Sequence, residues 1–271
     1  MASKVFSSGP PSFYHDSGDE SRPSKKETSV RIALEPVSSR TTIQEGVYQQ
    51  LRNALMAGNF DPGQTLTIAS LAETFGTSNM PVREALRRLA AENALEVAAN
   101  GSARIPIVTL ARLDDLCRAR IAVEGLAAEL GIPRLTATDI ATLERIAAEQ
   151  HAIGRSSNVY ELMARNQQFH FTIYRASGSE VLLQLIETLW LRFGPYMRML
   201  SASVEPLMRS GEIDPAGPHF PIIEALKASD FARARDGVVA DIRRTHEILR
   251  DYCPATEDEP RAKGSASALR R

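Results

Sequence analysis

Cysteine is almost missing: Cys117 and Cys253 are the only two in 271 residues. Two residues so far apart make no disulfide framework and lack the paired spacing of a structural zinc site, so both are expected as buried, reduced thiols. Long apolar runs are also missing. None reaches the ~18 residues of a membrane span, and the first residues carry Ser, Gly, Pro, Asp and Glu where a signal peptide needs an apolar stretch. The expectation is a cytoplasmic protein with no membrane segment. Charge of one sign is lacking too, since 32 Lys and Arg stand against 33 Asp and Glu. A net charge of −1 gives no global attraction to a polyanion, so any nucleic-acid binding has to come from locally clustered arginine.

What is present falls into four stretches. Residues 1–40 are rich in Ser, Pro and Gly without a sustained apolar period, and are expected to form a disordered arm. Residues 254–271 have the same character and are expected to form a disordered tail. Within 41–108, Ile43, Val47, Leu51 and Leu55 recur every four residues on a helix that ends at Gly58, and Asp61-Pro62-Gly63 reads as a turn. Thr67 caps a second helix carrying Ile68, Leu71, Ala72 and Phe75. After a tight connection at Gly76, Ser78 caps a third helix with Pro81 in its first turn. Asn93 is a left-handed cap. Two β-prone runs, Leu95–Ala98 and Arg104–Val108, flank Asn100-Gly101, a strong hairpin signal. Helix, helix, tight turn, helix, hairpin is the order of a winged helix-turn-helix.

Residues 109–253 show only helical periodicity. Thr109, Thr136, Ser157, Ser179 and Asp230 are the candidate caps, and Pro195, Pro215, Pro218 and Pro221 are expected to break or start helices. The fold class is therefore mainly α: a winged helix-turn-helix followed by about half a dozen helices.

In a helix-turn-helix the second helix of the motif enters the major groove with its N-terminal residues on base edges and phosphates. Here Asn79, Arg83 and Arg87 are spaced four apart, opposite the apolar Val82, Ala85, Leu86 and Leu89. An arginine can fork onto guanine and an asparagine onto adenine. A surface helix carries arginines for many reasons; the position after a tight turn and before a hairpin is what points to DNA.

Pro-Val-Arg-Glu-Ala-Leu at 81–86, Pro62-Gly63 with Leu66, Ser78, and Leu89 followed by Glu92 resemble the GntR family of bacterial regulators. The resemblance places DNA contacts on Arg52, Ser78, Arg83 and Arg87. The sequence departs from the family at Asn79, where arginine is usual, and at Gly101-Ser102, where the wing tip usually carries Arg-Gly. Residues 110–252 are similar to the helical FCD effector domain of the FadR subgroup, through Arg120–Glu124, Phe169-His170, His219 with Ile222, Ile223, Ala225 and Leu226, and Asp230. That resemblance implies an antiparallel all-α bundle of six or seven helices around a polar pocket, often with a divalent metal, and maps the ligand positions onto Asn166, His170, His219 and Asp241. An amide replaces the usual carboxylate, and a carboxylate a usual imidazole. The set suits Zn, Ni, Mn or Fe with open positions. The alternative is a polar core in which His170 and His219 are hydrogen-bonded without metal.

Arg120, and secondarily Arg192, are candidate partners for a carboxylate effector. The plainer reading of Arg120 is an intrahelical ion pair with Glu124. Together these features imply a homodimer that binds a double-stranded DNA operator, with a small organic acid tuning its affinity. An acyl-thioester pocket without metal, a two-His, one-carboxylate metalloenzyme, and a purely architectural DNA-binding protein are the alternatives.

Overall fold

The computed structural model describes residues 40–98, 102–154, 158–210 and 214–255. Among these, nine α-helices and one small sheet form two regions. The first begins with α1 (Arg40–Met56), β1 (Thr65–Leu66), α2 (Ile68–Thr74) and α3 (Asn79–Ala91), followed by β2 (Glu96–Val97) and β3 (Ala103–Arg104). The second comprises α4 (Leu110–Gly131), a 3₁₀ turn (Ile132–Arg134), α5 (Ala137–Gly154), α6 (Val159–Arg175), α7 (Glu180–Arg209), α8 (His219–Lys227) and α9 (Phe231–Arg250). No helix among the described residues is long and apolar enough to cross a membrane.

Local chemistry sets the boundaries. Thr67, Thr109, Ser179 and Asp230 each accept a backbone N–H with their side chain at a helix start. Thr136 accepts from Asp139 N, while its own N–H and hydroxyl donate to the Asp139 carboxylate. Asn158 caps α6 by accepting from Glu161 N; Ser157, the expected cap, lies outside the described residues. Asn93 takes φ 57°, the left-handed conformation read for it, and the chain leaves α3 there.

The sheet has the order β1-β3-β2, with Thr65 opposite Arg104 and Val97 opposite Ala103. Strand β1 went unread because two residues carry no period. The wing strands are shorter than expected. Ile105 N still bonds Gln64 O, but Pro106 brings no N–H to continue the ladder. Asn100 and Gly101 lie outside the described residues.

Pro195 does not break a helix: α7 runs 30 residues through Pro195 and Pro206. A proline inside a helix costs roughly 3 kcal/mol. Burial of Trp190, Leu191, Phe193, Tyr196 and Met197 on the same stretch offsets it, at roughly 1.5–3 kcal/mol per large apolar side chain.

Helix α7 is also where the two regions lock. A Cβ on Gly194 would lie 1.8 Å from the carbonyl oxygen of Leu55, so only glycine lets α1 approach this closely. Gly58, at φ +67°, abuts the backbone of Arg198 in the same way. Arg198 Nε reaches Asp61 at 2.8 Å, and Arg52 reaches Glu187 at 3.0 Å across the joint. Cys117 and Cys253 are free and buried, and burial pushes the Cys253 thiol up to about 12.

Candidate nucleic-acid interface and effector cavity

Helix α3 buries Val82, Ala85, Leu86 and Leu89 and turns the opposite stripe outward. Ser78, Asn79, Arg83 and Arg87 are all exposed there. Ser78 occupies the N-cap position with extended backbone, but its side chain makes no capping bond. Among the described residues Arg83 has no ion-pair partner, whereas Arg87 holds Glu84 at 2.8 Å. That contact is exposed and of little energetic weight, about 0–1 kcal/mol, so Arg87 can exchange it for another anion.

Arg52 does not join this stripe. Its side chain is 13% exposed and turns toward Glu187 and Glu92. Glu92 also accepts from Tyr48 Oη, and Arg88 stacks on the Tyr48 ring at 3.5 Å while pairing with Glu45 at 2.9 Å. These contacts clamp α3 onto α1 and hold its outward face rigid. Met80, beside Asn79 in the first turn, is 60% exposed, and the sequence reading passed over it. The signal was there: a large apolar residue on the polar side of an amphipathic helix, of the type that meets a thymine methyl.

In the second region, α6, α8 and α9 bring His170, His219 and Asp241 together, with one ligand atom from each within 4.8 Å of the others. His170 Nε2 lies 3.0 Å and His219 Nε2 3.7 Å from Asp241 Oδ2. Behind them Glu124, fully buried, accepts from Arg120 Nε (2.6 Å) and Nη2 (3.2 Å), Tyr174 Oη (2.7 Å) and Trp190 Nε1 (3.0 Å). Burial and the adjacent Glu124 carboxylate push the Tyr174 hydroxyl well above its usual range, so it stays a donor to Glu124.

The Tyr174 oxygen is then left to accept from His170 Nδ1 at 3.3 Å, which sets the ring with Nε2 facing Asp241. Burial raises the Asp241 carboxyl, but hydrogen bonds from His170 and His219 outweigh it and hold Asp241 far below the ordinary carboxylate range. Burial lowers the His219 imidazole against the opposing pull of Asp241, and its Nδ1 has no hydrogen-bond partner. Two imidazole nitrogens beside an ionised carboxylate are the donor set a borderline metal takes, with a phenol-to-carboxylate relay behind one of them. By this test the residues fit a divalent transition metal.

Asn166, one turn before His170 on α6, lines the same cavity of about 90 Å³, as do Arg120, Trp190 and Phe193. Arg192 does not. Two residues beyond Trp190, it is turned by about 200° around α7. It is exposed in a separate cleft lined by Glu96, Ile107, Arg112 and Asp115. Arg120 is in the cavity wall, already forked onto Glu124 and with Phe193 under its guanidinium at 4.1 Å. The intrahelical pair read for it exists, but buried rather than in solvent.

Two cavity residues were not read from the sequence. Arg244 stands one turn after Asp241 on α9, exposed at the cavity edge and without an ion pair among the described residues. Gln150 interrupts the apolar stripe of α5 formed by Leu143, Ile146 and Ala147, a polar residue at a core position.

An exposed arginine-bearing helix braced by a β-ribbon, joined to a helical bundle with a polar cavity, is the build of a DNA-binding protein with a second, helical domain. Residues 43–105 match "Bacterial regulatory proteins, gntR family" and residues 115–244 match "FCD domain". The HTH-type transcriptional regulator McbR of Escherichia coli K12 is 33% identical over 203 residues, covering 75% of this chain and 90% of its own. The HTH-type transcriptional repressor GlaR of the same organism is 29% identical, covering 70% and 87%. The solved structure of E. coli McbR/YncC superposes with TM-score 0.71 at 29% identity, covering 79% of this chain and 98% of that one. The chain belongs to the GntR family of bacterial transcription regulators and carries an FCD domain. It is a DNA-binding regulator, and the relatives are regulators, not enzymes.

Proposed function

We propose that the chain is a cytoplasmic, homodimeric repressor in which residues 41–108 read an operator and residues 109–253 bind a small organic acid that releases it. The observation that carries the reading is the outward stripe of Asn79, Met80, Arg83 and Arg87 on a helix clamped from behind. Ser78 and Asn79 meet backbone and base edge at the leading turn, and Arg83 and Arg87 reach bases and phosphates further along. Dimeric heads would engage half-sites about one helical turn apart. Support for a second copy comes from Leu126 and Leu130 on α4 and Val181 and Leu185 on α7, two exposed apolar pairs each spaced four residues apart.

His170, His219 and Asp241, with Asn166 alongside, would hold a Zn, Ni, Mn or Fe ion. When bound, it supplies a Lewis-acidic contact for a carboxylate oxygen. The chain's own residues do the rest. Arg244 brings to the cavity edge a guanidinium with no ion pair among the described residues, and Trp190 and Phe193 exclude water from one wall. Helix α7 carries Trp190 and Phe193 into the cavity and Glu187, Gly194 and Arg198 against the head. A ligand that shifts α7 therefore changes the spacing of the paired heads, and by linkage binds the DNA-free form more tightly by the same factor. The cavity volume favours a small acid over an acyl thioester, because a cavity of roughly 150 Å³ already takes a benzene ring.

The test is a titration of organic acids against a protein–operator complex prepared with and without chelator. Release of DNA by an acid, lost when the metal is stripped, supports the reading. Operator affinity indifferent to every acid overturns it. Protein purified without chelator that holds less than about a tenth of an equivalent of metal, and is not stabilised by added metal, leaves His170 and His219 as polar core.

A further inference from the structure

Gln150 is 1% exposed, sits in the cavity wall, and leaves its side-chain carbonyl oxygen without a hydrogen-bond partner. The amide cannot simply be turned round. Its Nε2 donates to the carbonyl of Pro215 at 3.5 Å, and a flip would set two acceptors against each other there. That wall is itself held in place. Pro215 packs so closely on Gly154 that a Cβ would lie 2.8 Å from its ring, and Asp214 is held by His151 at 2.8 Å. Gln150 Oε1 is thus a fixed, dry acceptor at the cavity wall. Leaving such a group unpaired is costly, and a donor on the ligand removes that cost.

The rest of the cavity supplies the complementary demand. Arg244 has no ion pair among the described residues and lines the cavity at its exposed edge. Arg120 already has its carboxylate in Glu124, so Arg244 is the guanidinium left for an anion. Asn166, His170, Asp241 and Thr245 also face the cavity, and Leu162, Met163, Met197 and Ile242 supply its apolar part. We infer that the ligand of this cavity is a small carboxylate that also carries a hydroxyl or ammonium group, its acid held by Arg244 and its donor read by Gln150 Oε1. This rests on the effector reading above and adds which acids the site selects. A plain alkanoate satisfies Arg244 and leaves Gln150 unpaired, so it is discriminated against.

The experiment is calorimetric titration of the full chain, without DNA, with matched pairs: lactate against propionate, 3-hydroxybutyrate against butyrate, and alanine for the ammonium case. The expected result is roughly tenfold tighter binding of the hydroxyl- or ammonium-bearing member. Gln150→Met should bring each pair to within about twofold, and Arg244→Gln should weaken all members by a common factor. Circular dichroism checks that Gln150→Met is folded; if it is not, the wild-type comparison alone decides. Equal binding of the paired acids, or a preference that survives Gln150→Met, overturns the inference while leaving an acid-binding cavity intact. Binding of no acid at all overturns it together with the effector reading.

Discussion

Glu124→Ala probes the dry network behind the cavity. Four hydrogen bonds end on the two carboxylate oxygens of Glu124, from Arg120 twice, Tyr174 and Trp190. Arg120 is 4% exposed and Glu124 fully buried, so the substitution leaves a guanidinium without its counter-ion in the interior. Breaking a buried ion pair from one side costs about 3–5 kcal/mol. A domain's whole stability is about 5–15 kcal/mol, so the variant should survive but melt early. For a chain of this size the loss corresponds to roughly 6–20 °C in Tm. The assay is urea and thermal denaturation followed by circular dichroism.

A second variant separates charge from shape. Arg120→Met with Glu124→Leu removes both ions and should recover part of the loss, since a buried ion pair is often replaceable by apolar groups. Recovery stays incomplete because the Tyr174 and Trp190 donors remain unpaired, at about 1–3 kcal/mol each. A loss below about 1 kcal/mol for Glu124→Ala would show that the network is wet or redundant. The relay from Tyr174 to His170 would then lose its anchor.

Two further perturbations address coupling and DNA readout. Gly194→Ala puts a Cβ 1.8 Å from Leu55 O, an overlap of backbone that no side-chain motion relieves. It should cost about 1–3 kcal/mol and flatten the acid dependence of operator binding; unchanged coupling in a mobility-shift titration would show that the α1–α7 joint transmits nothing. Met80→Ala should leave the melting curve within about 0.5 kcal/mol of wild type, because the side chain is already in solvent. It should weaken operators bearing thymine at the contacted step, and an affinity unchanged on every operator sequence would remove Met80 from the interface.

Most of the head was legible because its signals are local. Thr67, Gly76 and Asn93 each impose a backbone conformation through their own chemistry, and Val82 to Leu89 show their buried face by spacing alone. Strand β1 was invisible because two residues paired to a distant partner leave no period. The path of α7 through Pro195 was misread for the opposite reason, since a strong local signal lost to burial of its neighbours. At the cavity, His170, His219 and Asp241 were reachable from the family resemblance, and the chain brings them within ligand distance. Arg192 failed on helix phase, which two residues from Trp190 already implied. Arg52 failed because its partner Glu187 is 135 residues away, beyond any local pattern. Gln150 and Arg244 become meaningful only once the cavity they share is known.

Helix α3 is the element proposed to read DNA, and the direct measurement is the operator affinity of the Arg83→Ala variant at several salt concentrations. Arg83 is exposed and without an ion pair among the described residues, so its removal should leave helix content, melting and dimerisation intact. Affinity for the operator should fall roughly 5- to 150-fold, the equivalent of one bidentate base contact, with smaller change on unrelated DNA. An Arg83→Ala variant that binds operator and unrelated DNA just as wild type does would contradict the role of α3 in reading DNA.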